Sequence, residues 1–169
     1  MSDTPIEIER KFLIVMPYLE KISTVTGARK KEITQTYLLA EDGVTARVRK
    51  IKENGRMTYV KTEKSRISAL SHYENEFEIT KEQYETELVL KDKNKSTIEK
   101  TRYCIPHKSH ILEIDIYPFW SDRAILEIEL TDENEIFDIP SYISVIKEVS
   151  DDKRYKNTNL ALTVPMDDI

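Results

Sequence analysis

Charges of one sign recur two residues apart along the apolar stretches of this chain, and no other feature limits its fold as strongly. Glu7-x-Glu9, Arg47-x-Arg49, Glu74-x-Glu76-x-Glu78, Lys100-x-Arg102, Glu113-x-Asp115 and Glu127-x-Glu129 each place like charges on one face of an extended segment, because successive strand side chains point to opposite faces. In three of these segments the alternating residues are apolar: Ile6 and Ile8; Leu112, Ile114 and Ile116; Leu126, Ile128 and Leu130. Such alternation predicts strands. Further strands are predicted at 33–40, 44–52, 57–64, 73–79 and 98–105, with Asp42-Gly43 and Glu53-Asn54-Gly55 as turns between consecutive runs. About eight strands in meander order predict an α+β, mainly β fold: an antiparallel sheet closed into an eight-stranded β-barrel, with a few flanking helices.

The helices are expected at 16–24, where Pro17 suits a first turn, and at 80–91. In the second, Thr80-Lys-Glu-Gln83 reads as a capping box ahead of a Tyr84, Leu88, Val89 stripe. After Pro140, Tyr142, Ile143, Ile146 and Val149 stand at helical spacing. With 169 residues, three Gly and no Ser/Gly/Pro-rich linker, the chain reads as one domain over 1–169. Apolar residues make up 39% of it, enough for a core and against disorder. No apolar run approaches the roughly 20 residues of a membrane helix, and the opening residues lack a signal-peptide core. Cys104 is the sole cysteine, so no intrachain disulfide forms. A soluble protein of the reducing cytoplasm is expected. A net charge of -5 argues against a nucleic-acid partner.

Sorted charge needs a cause. Like charges along one strand repel unless the acidic strands hold a cation and the basic strands an anion. Turned into a barrel, the carboxylates offer hard oxygen ligands for Mg²⁺ or Mn²⁺, whereas zinc would prefer His and Cys. Arg and Lys on other strands would grip phosphate oxygens, Arg bidentately. Together the two sets imply a metal-complexed polyphosphate.

Ile6-Glu7-Ile8-Glu9-Arg10-Lys11 resembles the ExExK signature of the CYTH domain, or triphosphate tunnel metalloenzyme, family. Arg47-Val-Arg49, Val60-Lys61, Glu74-x-Glu76-x-Glu78, Thr101-Arg102-Tyr103, Glu113-Ile-Asp115 and Leu126-Glu-Ile-Glu129 follow in the family's order, and Arg154-Tyr155-Lys156-Asn157 is similar to its closing motif. The resemblance implies a barrel whose charged lumen binds triphosphate. It makes Glu7, Glu9, Lys11 and Glu129 the catalytic set, with Glu7, Glu9, Glu129 and the adjacent Glu127 on the metal. Phosphate would be held by Lys11, Arg47, Arg49, Lys61, Lys100 and Arg102, and a second metal or the attacking water by Glu76, Glu78, Glu113 and Asp115. One departure is Ser71-His72-Tyr73, where the family's pattern suggests an Arg; Lys64 and Arg66 are near enough to substitute.

Three functions compete. Metal-dependent hydrolysis of inorganic tripolyphosphate, or of nucleoside or organic triphosphates, fits best. A class IV-type adenylyl cyclase, making cyclic AMP and pyrophosphate from ATP, is disfavoured because that branch carries a His-Phe pair upstream of ExExK, which Met1 to Ile6 lack. A non-catalytic polyphosphate-binding module is disfavoured by the intact acidic and basic sets. The partner implied is a triphosphate-containing small molecule, with the chain a monomer or homodimer. Weaker signals read blandly: Cys104, His107 and His110 are too few for a zinc site, Trp120 packs in a loop, His72 lies in an exposed loop, and Lys156 faces solvent. Tyr37, Tyr59 and Tyr103 are expected at the barrel's edge, a lumen hydroxyl being the alternative.

Overall fold

The structure is a computed structural model that describes residues 5–169; residues 1–4 of the expected 1–169 domain lie outside the described residues. Nine antiparallel strands follow the chain: β1 (Ile6–Val15), β2 (Arg29–Leu38), β3 (Val44–Glu53), β4 (Arg56–Arg66), β5 (Ser71–Ile79), β6 (Ile98–His107), β7 (His110–Ile116), β8 (Arg123–Leu130) and β9 (Val145–Glu148). The order β5-β4-β3-β2-β6-β7-β8-β1 closes through β1 and β5, giving the expected eight-stranded barrel with one strand added. At the β3–β4 hairpin Asn54 and Gly55 both take positive φ, the conformation that makes Asn-Gly a hairpin turn.

Closure is short. Ile6, Glu7 and Ile8 pair with Tyr73, His72 and Ser71, which leaves the rest of that β1 edge open. Residues 145–148 fill it as β9, pairing with Phe12, Leu13 and Ile14. This corrects the helix expected after Pro140: unpaired backbone groups on a strand edge offer hydrogen bonds that outweigh a weak helical spacing. The first helix, α1 (Leu19–Ser23), starts two residues after Pro17. α2 (Lys81–Glu87) carries the capping box: the Thr80 hydroxyl accepts from the Gln83 N–H at 3.1 Å, and the Gln83 side chain accepts from the Thr80 N–H at 2.8 Å. After α2 the chain tightens into a 3₁₀ turn over Leu88–Leu90, and Val89 is exposed. A four-residue α3 (Asn157–Leu160) follows near the end. Among the described residues no helix is long and apolar enough to cross a membrane.

Alternation gives each strand two fates. Outward residues of β1, β6, β7 and β8, including Phe12, Ile14, Ile105, Ile114 and Leu126, form the main apolar cluster, covered by Ile22 of α1 and by Ile143. Each such fully buried Leu or Ile contributes about 1.5–3 kcal/mol. Inward residues Leu13, Tyr37, Ile98, Tyr117 and Ile125 join Trp120, Tyr155 and Leu160 in a second cluster that fills one part of the barrel interior. Trp120 is thus a packed aromatic, its Nε1–H donating to the Pro165 carbonyl at 3.0 Å. Cys104 is buried and free. His107 and His110 pair with Asp138 and Glu135, both at 2.7 Å.

Candidate active site

The rest of the interior is a cavity of about 370 Å³ whose lining carries eight Lys or Arg and seven Glu side chains. Near-equal numbers of the two signs in one enclosed volume suit an ion complex better than a bare anion or cation. Strand parity puts them there. β1 turns Glu7, Glu9 and Lys11 inward, β3 Arg47 and Arg49, β5 Glu74 and Glu76, and β8 Glu127 and Glu129; Arg102 of β6 and Glu113 of β7 join them.

Most of these charges are paired. Arg102 binds both oxygens of Asp115, at 2.6 and 2.8 Å, reaches Glu127 at 3.0 Å and also engages Glu113. Lys100 lies 2.6 Å from Asp115, and Lys11 3.1 Å from Glu127. Burial alone would raise the Glu127 carboxyl, but Lys11, Arg102 and Lys100 hold it well below the usual carboxylate range. Asp115 is likewise lowered against its burial by Arg102 and Lys100. Burial pushes the Lys100 ammonium down to about 8 despite the pull of Asp115. On the facing strands Arg49 meets Glu76 at 2.5 Å, Thr62 donates to the same carboxylate at 2.8 Å, and Lys64 bridges Glu7 and Glu74. Burial and the adjacent Arg47 lower the Arg49 guanidinium to about 10.

Five lining charges lack an ion-pair partner among the described residues: Glu9, Glu129, Arg47, Lys31 and Lys156. Glu9 and Glu129 are cross-strand partners on β1 and β8, and among the described residues neither has an ion-pair partner. Burial, then Glu127, raises the Glu9 carboxyl; burial, then Glu7, Glu113 and Glu9, raises Glu129. Two uncompensated carboxylates held side by side have the donor chemistry of a hard divalent cation site. Among the described residues no three His, Cys, Asp or Glu side chains yet converge as ligands, in keeping with Glu7 being turned toward Lys64 and Glu127 toward Lys11 and Arg102. Arg47 has no carboxylate within ion-pair distance among the described residues, and its buried Nε lacks a partner.

Several expected residues are placed differently. Lys61 faces outward, 2.9 Å from Glu87 of α2, and does not reach the lumen. Both faces of β4 carry charge, so alternation by itself could not choose; packing of Tyr59 against Tyr84 of α2 turns the odd-numbered face out and leaves Lys64 as the inward lysine. Asp115 and Lys100 lie beneath the cavity surface, tied to each other and, through Asp115, to Arg102. Glu78 shares the inward face but is exposed beyond the cavity. Conversely, Lys31, Arg66, Tyr37, His72 and Lys156 all line the cavity. His72 belongs to β5 rather than a loop, and burial with Lys64 and Lys156 nearby pushes its imidazole down to about 4. Lys156, expected in solvent, is brought in by the closing segment; burial, then Arg66 and Lys11, lowers its ammonium. Lys31 stood two residues before Ile33 in the inward register of β2 and could have been found had that strand been started earlier.

The chain matches the CYTH domain over residues 5–155. It is 31% identical over 155 residues to an inorganic triphosphatase of Acetivibrio thermocellus, covering 91% of this chain and 92% of that protein. Among solved structures, that of the inorganic triphosphatase NE1496 aligns with a TM-score of 0.57 at 29% identity, over 94% of this chain and 96% of that one. The PH1819 protein from Pyrococcus horikoshii OT3 shares the fold, with a TM-score of 0.57 at 20% identity over 76% of this chain and 80% of its own.

Proposed function

This chain belongs to the CYTH domain family, and from that membership we propose that it hydrolyses triphosphate, with inorganic tripolyphosphate as the substrate and Mg²⁺ or Mn²⁺ as cofactor. The observation that carries the reading is the unspent charge in the lumen. Among the described residues Glu9, Glu129 and Arg47 make no ion pair, and the groups share one cavity. A divalent cation complexed to a triphosphate supplies both complements at once.

On this reading Glu7, Glu9 and Glu129, with Glu127 beside them, would hold the cation, whose chemistry is to neutralise phosphoryl oxygens and polarise phosphorus. Lys11, Arg47, Arg49, Lys64 and Arg102 would hold the phosphate oxygens; Lys64 takes the part expected of Lys61. Lys31, Arg66 and Lys156 add positive charge to the same wall. Glu76 and Glu113 face the cavity and would orient the attacking water. Water adds in line to a terminal phosphorus, the bond to the bridging oxygen breaks, and orthophosphate and pyrophosphate leave. The chain's contribution would be placement and electrostatics, from charged side chains held on the barrel strands.

The test is product identity by anion exchange after incubation with Mg²⁺ or Mn²⁺ and, in separate reactions, tripolyphosphate, ATP and thiamine triphosphate. Orthophosphate released fastest from tripolyphosphate is expected. Cyclic AMP with pyrophosphate from ATP would overturn the reading in favour of a cyclase, and tight binding without turnover would reduce the chain to a binding module.

A further inference from the structure

Gln35 is fully buried in β2, with its side chain inside the barrel among charged groups, and none of the roles above uses it. Its Nε2 donates to the Tyr37 hydroxyl at 2.9 Å, and its Oε1 accepts from Arg47 Nη1 at 3.3 Å. The register places the three together: Gln35 lies opposite Arg49, and Tyr37 opposite Arg47. The amide's orientation is forced, since a guanidinium has only donors and the carbonyl oxygen must face it.

That contact sets Arg47 apart from the other lumen guanidiniums. Arg49 is paired with Glu76, Arg66 with Asp151, and Arg102 with Glu113, Asp115 and Glu127. Arg47 is held by a neutral amide instead. A carboxylate at position 35 would grip the fork more strongly and would also cancel its charge. An amide fixes direction and leaves the charge available for an incoming anion. Arg47 has a long, rotamer-rich side chain, and one anchored Nη limits the ways in which it can miss.

We infer that Gln35 is a positioning residue, aiming the Arg47 guanidinium at a substrate phosphate without neutralising it. The inference rests on the triphosphatase reading above. Its test compares Q35M, Q35E, R47M and the Q35M/R47M double variant for thermal midpoint, for tripolyphosphate affinity by calorimetry, and for kcat and KM with tripolyphosphate and Mg²⁺. Q35M is expected to raise Kd and KM roughly tenfold, the scale of one hydrogen bond to a charged group, with kcat changed much less. Q35E keeps the side-chain volume and is expected to weaken binding further, because its carboxylate occupies Arg47; should Q35M fail to fold, Q35E carries the test. In the R47M background, Q35M should add nothing to KM, since its effect passes through Arg47. Wild-type Kd and KM in both Gln35 variants, or an undiminished effect of Q35M without Arg47, would overturn the inference while the hydrolase reading stands. A wild-type protein that neither binds nor cleaves tripolyphosphate overturns both.

Discussion

Two sets of charged side chains share this barrel and differ in what they are committed to. Around Asp115, the side chains of Lys100, Arg102, Glu127 and Lys11 form a buried chain of ion pairs in which every charge has a partner. Glu9, Glu129 and Arg47 sit in the same interior without an ion-pair partner among the described residues. Burial is costly for both sets, and only in the first do partner charges offset part of that cost within the protein. The paired set therefore contributes to the fold even where Lys11, Arg102 and Glu127 also line the cavity, while on the proposed reading the uncommitted set is left for the ligand alone. Ionised groups in one barrel are not equally committed to one another, and pairing separates those whose removal costs the fold from those whose removal does not.

The comparison breaks most visibly at Asp115. D115A leaves Lys100 and Arg102 buried beside a missing carboxylate, and breaking a buried pair from one side costs about 3–5 kcal/mol. Urea denaturation at neutral pH measures it; a loss below about 1 kcal/mol would make the network dispensable to the fold.

Glu9 should behave in the opposite sense. E9Q is expected to lower metal-dependent tripolyphosphate turnover by at least about 100-fold while the metal-free protein becomes no less stable. The sign follows from its environment: burial and Glu127 hold the carboxyl above its ordinary 4.5, so the folded state prefers the protonated form. Ionising it therefore costs stability as pH rises from the unfolded value through the raised folded one. Thermal midpoints of wild type and E9Q, measured without metal, should coincide below that window and separate above it in favour of the variant. A midpoint gap that closes as pH rises would show that Glu9 is paired after all.

Arg47 sharpens the contrast at intermediate scale. R47M removes one charge-assisted contact and should weaken tripolyphosphate binding by about 1.5–3 kcal/mol, roughly tenfold to a hundredfold, with little change in unfolding free energy. R102M, by contrast, should lose both binding and stability, because three carboxylates depend on that guanidinium. Equal stability losses in the two variants would erase the distinction. The smallest effect is expected at Lys61, whose ion pair with Glu87 lies outside the lumen. K61A should leave KM unchanged and cost less than about 1 kcal/mol; a raised KM would return Lys61 to the phosphate site.

Much of this was legible beforehand, for identifiable reasons. Glu7, Glu9 and Lys11 sit on a strand whose other face is apolar except for Arg10, which pairs with Glu148 outside the lumen, so alternation alone gives their direction. Thr80 and Gln83 satisfy each other's backbone locally, and the capping box forms as written. Where both faces of a strand carry charge, as in β4, the resemblance points to Lys61, whereas the fold turns Lys64 inward. Where a segment's partner lay far along the chain, as for β9 against β1, local spacing misled. Lys156 and His72 look exposed in the sequence because what surrounds them in the cavity comes from distant segments of the chain.

What the sequence determined by itself is parity: which charges share a face, which apolar residues oppose them, and therefore that a charged surface and a core must form on two sides of one sheet. Tertiary structure alone decided which face is interior where both are polar, and which charges are spent on one another. The physical reason is that alternation is a property of neighbouring residues, whereas pairing and burial depend on distances between strands, and closing the barrel sets those.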